Sequence, residues 1–91
     1  MAFNLDGTKM FIADAGTSDS IHEYTLSTAF DVSTGSYVDA LDVSSQDSRP
    51  CGIRFNNDGT KLFVTGFYND YINEYNLSTA FDISTGSYSQ R

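Results

Sequence analysis

The sequence has no tryptophan, a single cysteine, a single proline, a single histidine and only five lysine and arginine residues among 91. Each shortage excludes something. One cysteine, Cys51, allows neither an internal disulfide nor a cysteine-based metal site; between Pro50 and Gly52, ahead of an apolar run, it reads as a small structural residue. One histidine, His22, provides no His-x-His or His-x-x-x-His pair for a metal ion. Five basic against 12 acidic residues leave a net charge of −7 and no basic cluster to neutralise phosphates, so neither nucleic acid nor an anionic membrane surface is an expected partner. No apolar run is long enough to span a bilayer as a helix. The opening "MAFNLDGTKM" has neither the basic patch nor the apolar core of a secretory leader. The chain is therefore expected to be soluble, without signal peptide or transmembrane segment, and its compartment stays unknown. Gly-x-Ser-x-Gly, Gly-x-Gly-x-x-Gly and Walker patterns are missing too, as is any Ser-His-Asp set in a workable order.

What is present is strand-forming. Seven Phe and six Tyr accompany Val, Ile and Thr, and Gly or Asn-Asp clusters punctuate each apolar run. No amphipathic helix of three turns can be drawn. The chain is also one unit written twice. "FNLDGTKMFI" (residues 3–12) returns as "FNNDGTKLFV" (55–64), and "LSTAFDVSTGSY" (26–37) as "LSTAFDISTGSY" (77–88). The offset is 52 residues up to Ser18 and Asp70 and 51 from Ser20 and Tyr71 onward, because the first copy carries one extra residue after Asp19. A repeat of about 50 residues is the sequence signature of a solenoid or propeller. We divide the chain into tandem repeats of approximately 1–49 and 50–91.

Within the unit, "CGIRFN" and "KLFVTG" alternate as two strands around the turn "NNDGT", where Asp58 is expected to accept backbone N–H bonds and Gly59 to adopt a positive φ. "YINEYNL" is a third strand. "STAFDISTGSY" is a polar crossing pinned by Phe81 and Ile83, and "YVDALDVS" (37–44) is a fourth, outer strand in the first copy. Four short strands per repeat describe the blade of a β-propeller, with a small sandwich or β-prism-like stack as the rival. The expectation is an all-β chain of two four-stranded antiparallel blades, the first and last incomplete: the second stops before any counterpart of the outer strand. Two blades leave apolar faces uncovered. Completion is expected either from copies of the chain, three giving six blades and four giving eight, or from the remaining blades of a longer chain.

The hairpin motif (Phe55, Asp58, Gly59, Lys61, Leu62, Phe63, Val64, and Phe3, Asp6, Gly7, Lys9, Met10, Phe11, Ile12) and the strand motif (Ile21, Tyr24, Leu26, Ser27, Thr28, and Ile72, Tyr75, Leu77, Ser78, Thr79) resemble the blade repeat of a group of uncharacterised β-propeller proteins from marine bacteria and phages. More distantly the motifs are similar to YVTN-type and lactonase-like propellers. The resemblance covers essentially the whole chain and implies fold more than function, because propellers host hydrolases, lyases, sugar-binding and docking proteins alike.

Candidate functional residues follow from alternation and divergence. Glu23 and Glu74 share a face with Ile21 and Ile72, so each carboxylate needs hydrogen bonds or a cation, with Lys9 and Lys61 as partners; the bland reading is a repeated structural carboxylate, the functional one a ligand near a symmetry axis. His22 stands on the opposite face and reads as a half-exposed strand histidine; the functional alternative places it with Glu23 and Glu74 as an axial or buried polar residue. The loop after the second strand diverges most. Phe67, Tyr68, Asn69 and Asp70 offer aromatic and polar groups suited to carbohydrate or protein, and the first copy has Asp14 and Asp19 instead. No cofactor is implied; the Asp-Gly turns allow at most weak Ca²⁺ binding, lacking the alternating acids of a dedicated calcium loop. The functional expectation is a non-enzymatic scaffold or binding module. The alternative is a propeller hydrolase or lactonase-like enzyme with a metal or catalytic site near the axis.

Overall fold

Among the described residues eight strands form two four-stranded antiparallel sheets, each a meander in chain order. The first holds β1 (Ala2–Phe3), β2 (Lys9–Asp14), β3 (Ser20–Leu26) and β4 (Gly35–Asp42); the second holds β5 (Pro50–Phe55), β6 (Lys61–Gly66), β7 (Ile72–Leu77) and β8 (Gly86–Gln90). A 3-10 turn, Val32–Thr34 in one half and Ile83–Thr85 in the other, leads into the last strand of each sheet. This computed structural model describes residues 1–14, 19–46, 49–66 and 71–91.

Turn chemistry fixes the first hairpin of each sheet. Asp58 Oδ1 accepts the Thr60 N–H at 3.1 Å and the Thr60 hydroxyl at 2.6 Å, and Asp6 holds Thr8 with the same two distances. Gly7 and Gly59 take φ of 76° and 75°, which a side chain rarely tolerates. Their bareness has a second consequence: a Cβ at either glycine would overlap the ring of Phe30 or Phe81, which lies over the turn. The Phe30 and Phe81 N–H groups donate to the carbonyls of Gly7 and Gly59 at 2.8 and 2.9 Å. The "DVST" and "DIST" segments then close by themselves. Asp31 and Asp82 each accept from the N–H and hydroxyl of the serine two residues on, at 3.1 and 2.6 Å.

The two sheets lie face to face. Phe11, Ile21 and Val43 from the first half meet Leu62, Val64, Tyr75, Leu77 and Ile83 from the second in one buried cluster. The Phe11 ring stands 4.6 Å from Phe55, whose ring is 5.0 Å from Phe81. Full burial of each such side chain contributes roughly 1.5–3 kcal/mol. The packing is head to tail. The face of the first sheet carrying Lys9, Phe11, Ile21 and Glu23 covers the face of the second that carries Leu62, Val64, Asn73, Tyr75 and Leu77.

The propeller expectation is corrected here. The sheets are separate, neither curls nor closes, and they stack as two layers of a small all-β domain. A propeller sets about four to eight blades around a channel; among the described residues there are two sheets and one interface between them. Strand number and turn chemistry specify a meander, and the blade-like repeat specifies no more than that. The resemblance to marine bacterial, phage and YVTN or lactonase-like propellers falls with it. A second correction concerns the expected missing outer strand: β8 pairs with β7 along Glu74–Leu77, so both sheets have four strands. A bulge between Glu23 and Tyr24 breaks the alternation of β4, so Tyr37 pairs with Tyr24 while Asp39 pairs with Glu23. Among the described residues no helix is long and apolar enough to cross a membrane.

Candidate functional site

Glu23 and Glu74 occupy equivalent positions and meet different fates. Glu23 is 2 % exposed. Its Oε2 lies 3.2 Å from Lys9 Nζ, and its Oε1 accepts the Ile83 N–H at 3.2 Å, across the interface between the sheets. Lys9 also donates to the Phe81 carbonyl at 3.2 Å. A carboxylate buried this way needs such partners. The pair ties the first sheet to the 3-10 turn of the second.

Glu74 repeats the ion pair, with Oε2 3.2 Å from Lys61 Nζ, but faces outward. The hydrogen bond from Lys61 holds its carboxyl below the usual carboxylate range, against a smaller desolvation effect, and Gln90 Nε2 adds a bond at 3.5 Å. Beside it the outer face of the second sheet opens into a hollow of about 590 Å³ lined by Gly52, Ile53, Arg54, Phe63, Thr65 and Ile72. Ile72 is 61 % exposed, whereas its equivalent Ile21 is 0 % exposed. This shallow apolar face, edged by Arg54 and the Lys61–Glu74 pair, is the candidate contact site.

The other expected residues scatter. Phe67, Tyr68, Asn69 and Asp70 lie outside the described residues. Asp14 ends β2 and places Oδ2 3.2 Å from His22 Nε2. The His22 ring packs 5.7 Å from Tyr37, on the face opposite Glu23. Asp19 has φ 52°, and its carbonyl accepts the Val43 N–H at 3.1 Å. The fold thus brings Asp14 together with His22 and keeps both apart from Glu23. The Asp-Gly turn carboxylates are engaged by Thr8 and Thr60, whose hydroxyl and N–H hydrogen bonds lower the pKa of Asp6 and Asp58. Among the described residues no three His, Cys, Asp or Glu side chains are grouped to hold a metal ion.

A second, polar hollow of about 220 Å³ is lined by Ser45, Gln46, Tyr71, Asn73, Tyr88 and Arg91. The Arg91 guanidinium sits 4.1 Å over the Tyr71 ring, and Tyr75 Oη donates to Gln46 Oε1 at 2.7 Å.

Compared with known proteins, the chain matches no family model, no curated protein and no solved structure. The site therefore stands on its own geometry. Sequence reasoning missed Arg54, Phe63 and Ile72 as a surface. Alternation gave Ile72 the same inward role as Ile21, and nothing in a strand's own pattern says whether another sheet covers it. The available signal was the repeat itself: in a head-to-tail stack the two copies of one strand face different neighbours.

Proposed function

We propose that this chain is a non-enzymatic contact module whose working surface is the outer face of the second sheet. The observation that carries the reading is the unequal burial of equivalent residues: Ile21 is 0 % exposed and Ile72 61 % exposed in otherwise matching strands. The second sheet has the apolar residues of a packed face, and among the described residues no layer lies over them. A shallow apolar hollow with a charged rim has the anatomy of a protein-contact patch, with aliphatic and aromatic side chains at its centre and Arg, Lys and Glu at its edge.

The test compares the two isoleucines in dilute solution. Ile21→Thr removes a packed side chain and buries a hydroxyl, and is expected to cost about 2 kcal/mol or more in chemical denaturation. Ile72→Thr is expected to leave stability unchanged while reducing the fluorescence of an apolar dye, anilinonaphthalene sulfonate, bound to the protein. Equal destabilisation by the two substitutions would show that the outer face is part of the packed structure, and would overturn the reading.

A further inference from the structure

The two outer faces of the molecule are the two halves of the interface already inside it. On the giving side, Lys9, Phe11, Ile21 and Glu23 of the first sheet press into the second; their equivalents Lys61, Phe63, Ile72 and Glu74 form the outer face of the second sheet. On the receiving side, Phe55, Phe81 and Ile83 of the second sheet take up that load; their equivalents Phe3, Phe30 and Val32 lie on the outer side of the first sheet. Burial follows the position and not the residue type. Ile83 is 0 % exposed and Val32 56 %.

Both halves are already in shape. The Lys61–Glu74 ion pair has the same 3.2 Å separation as Lys9–Glu23. The Phe3–Phe30 ring pair, at 5.1 Å, matches Phe55–Phe81 at 5.0 Å. A binding surface whose side chains already hold their bound arrangement loses little further freedom on contact.

We propose that the outer face of the second sheet docks on the outer face of the first sheet of a second copy of this chain, repeating between chains the packing that joins the sheets within one. This rests on the contact-module reading and names its partner. In the contact Phe63 takes, against the neighbour's Phe3, the place that Phe11 takes against Phe55. Glu74 Oε1 accepts the neighbour's Val32 N–H in place of the long 3.5 Å bond from Gln90, as Glu23 accepts that of Ile83, and Lys61 donates to the neighbour's Phe30 carbonyl as Lys9 does to that of Phe81. Giving and receiving surfaces differ, so the contact is heterologous and each end of a pair can add a further chain.

The experiment uses two exposed positions. Ile72→Asp blocks the giving face and Val32→Asp the receiving face, and because neither side chain is buried both variants are expected to fold as the parent does. In sedimentation velocity at rising concentration, the unaltered chain is expected to exceed the 10.0 kDa of one copy. Each variant alone should lose that association or weaken it at least tenfold. Mixed in equal amounts, the two should form a one-to-one pair, because each retains the face the other lacks. An unaltered chain that stays at single-chain mass at all concentrations overturns the proposal, and the dye experiment then still decides the contact-module reading separately. Association lost with Ile72→Asp and retained with Val32→Asp also overturns it, pointing to like faces meeting.

Discussion

Glutamate 23 and glutamate 74 are the same residue in the same strand context, and their surroundings alone separate them. Glu23 is sealed between the sheets, with Lys9 and the Ile83 N–H as partners. Replacing it by alanine leaves a buried N–H and an ammonium group without their acceptor, which costs about 2–3 kcal/mol. Glu74→Ala, at a half-buried pair on the outer face, should cost at most about 1 kcal/mol. Urea denaturation of the two variants in dilute solution checks the contrast, and equal losses would contradict the burial difference. At this scale the sequence was informative. Alternation placed each glutamate on a face with an isoleucine, Glu23 opposite His22 and Glu74 opposite Asn73, and named Lys9 and Lys61 as partners. It could not rank the two sites, because burial is a property of what lies across from a strand. The loop residues Phe67 to Asp70 were chosen for divergence and composition, and they lie outside the described residues.

The element with the most specific sequence is the Asp-Gly hairpin coupled to its distant phenylalanine. Gly59 provides a positive φ and a bare surface for the Phe81 ring, and its carbonyl holds the Phe81 N–H. Phe81 is itself at φ 57°, so its backbone is held in an unfavourable region by these contacts. Gly59→Val combines a disallowed φ with ring overlap and is expected to cost at least about 2 kcal/mol. His22→Ala removes a half-buried contact with Asp14 and Tyr37 and should cost about 1 kcal/mol. Thermal unfolding of the two variants decides the point; similar losses would show that the turn does not need its glycine. The hairpin was legible because Asp-Gly has few alternatives. The bond from the turn to Phe81, 22 residues on by sequence number, was not, because no local rule connects a turn to a crossing segment. The bulge at Glu23 and Tyr24 also escaped the pattern, since one extra residue in a partner strand reverses every face assignment beyond it.

Across the whole molecule, the repeat specified two similar meanders but not their arrangement. Spacing and turn residues are the same for any architecture built of four-stranded meanders, so a propeller was expected where two stacked sheets are found. What fixes the arrangement is side-chain complementarity: Phe11 against Phe55, Glu23 against the Ile83 turn, Lys9 against the Phe81 carbonyl. The same complementarity is left unspent at both outer faces. The most direct test is an isotope-filtered nuclear Overhauser spectrum of a one-to-one mixture of ¹³C-labelled and unlabelled chains. Within one chain it should show Phe11 ring protons close to those of Phe55; between chains it should show the equivalent contact of Phe63 with Phe3. The intramolecular contact without the intermolecular one, at concentrations where the chain is associated, would contradict the head-to-tail account, and loss of both would contradict the stacking of the sheets itself.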